Sequence, residues 1–533
     1  MHVHPRLLCG IMGGLAAMAV AAQQPKGLPL HASGNPILAD GSFYSADPAP
    51  LVVGDTLYIV AGRDEAPPDV NDFIMKEWQI FATRDVASGN WMHYPAIARP
   101  TEIFHWAAAG SAYASQIVQG RNGRFYMYSP VAQAHSSTED PFGIGVAVAD
   151  SPLGPWQDAH PAGPIVSQAT PAASRIQNID PTVLINDDGR IYMYWGTFGQ
   201  LLGVELASDM ITLAGPIVHV TTLKGFFEAP WLFKRGHTYY MSYAANHAGP
   251  NSECTPALYH ACLAYGTSDS PLGPWTYRGV LLGPVSSTTS HEGIVNFKGQ
   301  WYLVYHTADA KGGGHFRRSV AIDRLEWDNS TVPASIRKVA PTRTPPPPRA
   351  PSRNIAPAAV ATASNEPIPT QYWIKALNDE RAPQNPLPPE MWSSWKPGAI
   401  PAHPWLAYAW KNAVELNGIR LWFWADHPSG ASEGVALPAT WRVEFAQNGV
   451  WKPVHETYRD PVVASRFIRV AFNRVTTHCL RIVFDASGQQ NQFAGVAVEE
   501  LEALAPHPVL LPVGREQAQS CPREHLMEQP SAQ

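Results

Sequence analysis

The sequence predicts an all-β protein, a five-bladed β-propeller followed by a β-sandwich, from three observations. A glycine, a short polar step, a tyrosine and an apolar alternating run recur as GDTLYIV, GRFYMYS, GRIYMYW, GHTYYMSY and GQWYLVYH. Extended helical periodicity is scarcely visible. A proline-rich break near residue 340 separates these repeats from a second set of alternating segments.

The elements follow in chain order. Residues 1–22, MHVHPRLLCGIMGGLAAMAVAA, join His2, His4 and Arg6 to a short apolar run ending in small residues, and read as a secretory signal cut near Ala21 or Ala22. From 34 to 339 each Gly–Tyr unit has an apolar segment before it and a further strand candidate after it, the pattern of antiparallel hairpins. SPLGPW occurs twice, at Ser151 to Trp156 and Ser270 to Trp275, so the repetition is structural as well as compositional. One small sheet per repeat suits a radial propeller, with a β-sandwich carrying long insertions as the alternative. Residues 340–359, with PTRTPPPPRAP at their heart, read as an extended connector. Residues 360–506 carry several alternating strands and read as a β-sandwich accessory domain, and 507–533 as a frayed tail.

Composition narrows the function. A net charge of −6 provides no polybasic field, which speaks against nucleic acid or an anionic membrane as partner. After the signal, no stretch is long and apolar enough for a transmembrane helix. Cys254 and Cys262 are close enough in sequence to pair across a short loop, while Cys479 and Cys521 complete too sparse a set for a disulfide-built scaffold.

The chemistry is carried by register. In a propeller the first strand of each blade lines the axis, so residues that open these strands converge. Asp47 lies 11 residues before Tyr58, Asp180 lies 12 before Tyr192, and Glu228 lies 11 before Tyr239. His291, 11 before Tyr302, holds the same place in the fifth repeat. Core packing alone would favour apolar side chains at these positions. Glycosidic cleavage needs one carboxylic acid to protonate the leaving oxygen and one carboxylate to activate water or attack the anomeric carbon; a third carboxyl can hold the acid's pKa high. The bland alternative is that each acid merely makes a turn.

Together, SADPAP, IDPTVL, FFEAPW and HEGIVNF resemble the motifs of glycoside hydrolase family 43 over residues 34 to 339. The resemblance implies a five-bladed propeller and an inverting reaction, with Asp47 as general base, Asp180 as pKa modulator and positioner, and Glu228 as general acid. It implies no required cofactor, and leaves room for a structural calcium ion reached by His291 through water. No compact Asp-rich loop supplies the oxygens such an ion wants.

The remaining substrate-binding candidates are Gln116 as a neutral donor, Asn178 from the loop before Asp180, His291 and, as the resemblance implies, Trp106 as an apolar wall and Arg318 from the last blade, with Arg317 as its one-residue alternative. Each has a packing alternative, and for Asn178 that is a turn hydrogen bond. The C-terminal strands, with MWSSWKPG and IRLWFWADH, resemble galactose-binding-like (discoidin, F5/8-type) modules; Trp392, Trp395 and Trp424 either stack on sugars or fill the core. The activity that the family resemblance implies is exo-hydrolysis of terminal pentose from arabinose- or xylose-containing polysaccharides and oligosaccharides, by an α-L-arabinofuranosidase or β-xylosidase, expected in the periplasm or medium. The rivals are an endo-arabinanase and a noncatalytic carbohydrate-binding propeller.

Overall fold

The computed structural model of the chain describes residues 25–68, 70–249, 252–255, 261–285, 289–343, 351–364, 374–382, 390–489, 491–511 and 520–522. The signal-like segment, the proline run 344–350 and most of the expected tail lie outside them.

Each Gly–Tyr repeat folds as the first hairpin of an antiparallel sheet, because a positive-φ glycine closes a tight turn between two alternating runs. Blade one runs outward as Ala46–Val53, Thr56–Asp64, Met75–Thr83 and Asn90–Ala98, with Leu28–His31 paired at its outer edge. That edge strand precedes residue 34, where the domain was expected to begin. Blade two is built on Gln116–Gln119, Phe125–Ala132 and Phe142–Ala149. Blade three follows with Thr182–Ile185, Ile191–Trp195, Leu201–Leu206 and Val218–Val220. Blade four comprises Phe226–Arg235, Thr238–Ala245, Cys262–Ser268 and Thr276–Leu282, and blade five Glu292–Phe297, Gln300–Thr307 and Ser319–Arg324.

The segment that enters blade one also closes the ring. Ile37 N–H donates to Val320 O and Ser45 N–H to Arg318 O, both at 2.8 Å, and the Asn35 amide brackets the Ile322 backbone from both sides. The open edge of blade five is thereby covered by the start of the chain. Between blades, Tyr126, Tyr192, Tyr239 and Tyr302 of the repeats are buried, as are Trp156 and Trp275 of the two SPLGPW turns. Such rings bury large apolar area, and Trp275 also satisfies its polar end, Nε1 donating to the Tyr194 hydroxyl at 3.2 Å.

The second region is a further all-β sheet system of nine strands, consistent with a β-sandwich. Its long strands Trp405–Trp424 and Phe467–Asp485 pair antiparallel, with irregularities between Ala409 and Val414 and between Leu416 and Gly418. Bulges bend strands, so one strand can serve two layers. Trp392, Leu406, Ile419, Phe423, Ile468 and Phe484 are buried between them, which assigns Trp392 to the core. Ser352–Asn354, inside the expected connector, pairs with Ala497–Val509 as part of this sheet. The backbone groups of Ser352 and Asn354 thereby gain partners that an extended linker would leave to water. Cys254 is bonded to Cys262 and Cys479 to Cys521. Among the described residues no helix is long and apolar enough to cross a membrane.

Candidate active site

Asp47 and Glu228 stand just inside the first strands of blades one and four, and Asp180 and His291 just before those of blades three and five, as the repeat register requires. With Arg318 they line one cavity of about 390 Å³. Its mouth and walls are aromatic: Phe73, Tyr113, Phe142, Phe198, Phe227 and Phe316.

The carboxylates are aimed by unusual backbone. Asp47 and Asp180 have φ of 55° and 58°, and Ala229, next to Glu228, has φ of 55°. The ladder slips beside Asp47 and again beside Glu228, so the strand turns a side chain to the axis where regular pleating would not. Left-handed φ at non-glycine residues is costly, and it concentrates where function constrains geometry.

Electrostatics then divides the three acids. Arg318 Nη1 donates to Asp47 Oδ1 at 2.7 Å, while its Nε and Nη2 grip both oxygens of Asp64 at 2.9 Å. Burial is the largest single influence on Asp47 and opposes its ionisation, but the Arg318 charge and the contacts with His306 and His291 together outweigh it and hold this carboxyl well below the usual range. Burial acts the other way on its neighbours. It pushes Glu228 up to about 7, against the hydrogen bond from Thr197 Oγ1 to Glu228 Oε2 at 2.8 Å and with help from the Asp47 charge. Asp180 is raised well above its ordinary value by burial and then by Glu228 and Asp47. The Asp180–Glu228 pair therefore keeps a proton at neutral pH while Asp47 has none. Asp180 Oδ2 also accepts the Ala229 N–H at 3.0 Å, which ties it to the backbone that carries Glu228.

Two histidines complete the wall around Asp47. His291 Nδ1 lies 3.8 Å from Asp47 Oδ1, and burial lowers its pKa to about 4, so it faces Asp47 as a neutral ring. The Asp47 N–H donates to His306 Nδ1 at 3.2 Å, and His306 Nε2 donates in turn to Thr289 O at 3.0 Å. Among the described residues no group of three or more His, Cys, Asp or Glu is arranged to hold a metal ion. Calcium wants six to eight oxygens, whereas His291 offers a nitrogen and the nearest ionised carboxylate is already met by Arg318. Among the described residues these side chains do not form a direct calcium cage.

Three expected contact residues lie elsewhere. Trp106 packs on Phe104 in the core of the first blades, its Nε1 donating to Asp158 at 3.1 Å; the apolar wall is supplied instead by Tyr113 and Phe142. Gln116 is buried with its amide turned to the next blade, donating to Val183 O at 3.3 Å and accepting from Val183 N. Asn178 is fully buried in its own loop, donating to Ala173 O and Ile176 O and accepting from Trp195 Nε1, which is the turn hydrogen-bonding alternative. Its neighbours Gln177 and Ile179 reach the cavity. Of the two arginines, Arg318 faces the site, and Arg317 points outward to Gly312 O and Pro67 O.

Sequence reasoning missed Asp64, Thr197 and His306. Asp64 ends the strand of the first Gly–Tyr repeat and His306 stands near the end of the fifth-repeat strand, so their repeat positions were the available signal. Thr197 carried none.

Comparison with known proteins agrees with this architecture. Residues 33–333 match the model for glycosyl hydrolases family 43. The chain is 31% identical over 329 residues to a xylosidase/arabinosidase from Bacteroides ovatus, covering 54% of this chain and 92% of that one. It is 31% identical over 337 residues to an arabinoxylan arabinofuranohydrolase from Bacillus subtilis, covering 55% of this chain and 62% of the relative, less than two thirds of its length. A solved β-xylosidase/α-arabinofuranosidase from a compost microbial metagenome, calcium-free and bound to xylotriose, aligns with a TM-score of 0.49 at 24% identity, over 60% of this chain and 100% of that one. The family match spans more than half of the chain and contains all five blades with their carboxylate cavity, so this protein belongs to glycoside hydrolase family 43.

Proposed function

We propose that this glycoside hydrolase releases terminal pentose residues, α-L-arabinofuranosyl or β-xylosyl, from arabinose- or xylose-containing polysaccharides and oligosaccharides, with inversion at the anomeric carbon. One observation carries the reading: an ionised Asp47 clamped by Arg318 shares a cavity with the Asp180–Glu228 pair, which holds a proton at neutral pH. Glu228 gives its proton to the glycosidic oxygen as the bond to the anomeric carbon breaks, and the leaving sugar departs as an alcohol. Asp47 takes a proton from the water whose oxygen attacks that carbon from the opposite face. Asp180 fixes the backbone beside Glu228, and the charge interaction between them keeps the two carboxyls from ionising together. Arg318 keeps Asp47 ionised and ready to act as base.

The aromatic enclosure of the cavity supports removal of chain-end or side-chain units over internal cleavage. The names of the matched relatives support a pentose as the sugar removed. For the second β region, expected over residues 360–506 and built on a sheet that also takes in Ser352–Asn354, we infer a galactose-binding-like accessory module. Trp395 and Trp424, half-buried around Met391 and Val435, are its candidate sugar-stacking side chains. Export to the periplasm or medium follows from the signal-like first 22 residues and is supported by two disulfides, which persist in oxidising compartments.

The test is time-resolved sugar release from arabinoxylan, arabinan and xylo-oligosaccharides, with Glu228→Ala assayed alongside and the product anomer followed by proton NMR. Loss of the general acid lowers turnover by roughly 10²–10⁴-fold. A folded wild-type protein that binds these glycans and releases no pentose would instead favour a noncatalytic carbohydrate-binding propeller.

A further inference from the structure

The hairpin turn Gly196 to Gln200 of blade three ends in an exposed aromatic that neither the core nor the carboxylate chemistry explains. Phe198 is 67% exposed, although it lines the cavity mouth, and its φ is 50°. A bulky side chain in the left-handed region is an outlier, and exposure means that no core packing compensates it.

The turn beneath it is fastened on three sides to the catalytic backbone. Gly196 N–H donates to Ile179 O, one residue before Asp180, at 2.9 Å. Gly199 N–H donates to Phe227 O, one residue before Glu228, at 3.0 Å. Thr197 Oγ1 donates to Glu228 itself. Gly196 has no substitute here, because a Cβ would stand 2.0 Å from Gln200 O. Phe227 meets the Phe198 ring edge-on, with centroids 5.7 Å apart and planes at 78°. The Phe198 ring is thus held at a fixed place on the Glu228 side of the mouth.

Chemistry says what passes there. The acid must reach the glycosidic oxygen, so the departing sugar lies on the Glu228 side, while the sugar being released sits deeper, among Asp47, His291 and Arg318. Resting on the hydrolase reading above, we propose that Phe198, braced by Phe227, is the stacking platform for the leaving-group sugar, a pyranose of the xylan type presenting its C–H face to the ring. The electron-rich face of an aromatic ring suits C–H groups of that kind. Because the platform is tied to the acid through Thr197, sugar bound there is placed for protonation, and its binding energy is expressed in turnover as well as in affinity.

The experiment compares two substrates with the same released pentose, one attached to a xylo-oligosaccharide and one a methyl glycoside, and reads the ratio of their kcat/KM values. Phe198→Ala lowers that ratio by about tenfold or more, and Phe198→Trp restores most of it. Phe198→Asn, which tolerates the left-handed backbone and has no aromatic face, gives the same loss as alanine and guards against a folding effect. A ratio unchanged in both the alanine and asparagine variants overturns the platform while leaving the hydrolase reading intact. Wild-type failure on both substrates overturns the hydrolase reading and the platform with it.

Discussion

Removing one hydroxyl, in Thr197→Val, tests how the acid is tuned. Thr197 is buried and its Oγ1 donates to Glu228 Oε2 at 2.8 Å. Burial raises the Glu228 pKa to about 7, and this hydrogen bond pulls it down because it favours the ionised form. A hydrogen bond to a charged group contributes about 1.5–3 kcal/mol, and one pKa unit corresponds to about 1.4 kcal/mol, so its loss is worth about 1–2 units. The hydroxyl can also accept from the protonated acid, which offsets part of this and leaves about one unit upward. The assay is kcat/KM from pH 4 to 10, whose alkaline limb reports the proton held by the Asp180–Glu228 pair as a unit. That limb lies near 7 in the wild type, moves up by about one unit in Thr197→Val, and returns in Thr197→Ser. A limb that stays in place or moves down in a folded Thr197→Val variant would refute the assignment of Glu228 as the acid tuned by this bond.

Three other perturbations follow from the same geometry. Arg318→Lys keeps a cation but loses the fork that joins Asp47 to Asp64, so the acid limb of kcat/KM rises toward or above the ordinary carboxylate range, by about 1 unit or more; an unmoved acid limb would count against Asp47 as the base. Glu292 is wholly buried and its pKa is pushed up to about 8 by burial, with Ser242 opposing. The fold therefore holds a proton that the unfolded chain releases near 4.5, and stability falls as pH rises from about 4.5 to 8; Glu292→Gln flattens this slope, by on the order of 3–5 kcal/mol between urea unfolding at pH 5 and pH 9. Glu390, beside the second β region, approaches His315 of the blade-five loop at 3.5 Å, and Arg381 donates to Ala308 O at 3.1 Å. The loop carries Phe316, which meets Phe73 over the cavity at 4.7 Å, so Glu390→Ala raises KM about two- to fivefold with little change in kcat, and an unaltered KM would detach the second region from the pocket.

What the sequence could say depended on periodicity. The axial residues Asp47, Asp180, Glu228 and His291 were legible because a propeller converts an 11- or 12-residue spacing from a repeat tyrosine into a shared place on the axis. Gln116, 10 residues before Tyr126, stands only near the corresponding place in blade two, and there the amide spends both its donor and its acceptor on Val183 of the neighbouring blade. Trp106 was illegible for another reason. An indole suits a sugar wall and a core equally, and its partner Asp158 is distant in sequence. Asp64 and His306 had only their places near the ends of repeat strands as a signal, and what gives them a role, long-range hydrogen bonds to Arg318 and Asp47, is not visible in any local pattern.

The deepest layer is backbone conformation. Asp47, Asp180 and Ala229 each adopt left-handed φ, and each is followed by a proline: Pro48, Pro181 and Pro230. Taken one at a time, an Asp-Pro pair reads as a turn. A proline ordinarily holds the residue before it extended, so a left-handed exception at the carboxylate itself in blades one and three, and one residue after it in blade four, is one kind of construction used three times. Proline also lacks an N–H, which frees the chain from the ladder at the step where the strand must slip, and the pairing does slip beside Asp47 and beside Glu228. Each strained residue costs on the order of 1–3 kcal/mol, and the fixed contacts around it hold it there: His306 on the Asp47 N–H, Asp180 on the Ala229 N–H, and Arg318 on the Asp47 carboxyl. A carboxylate on an ordinary strand would share its face with packed neighbours. Turned out of the ladder, it reaches the axis while the strand beyond it resumes its regular pairing, so catalytic aim and blade packing are met by different residues of the same short segment.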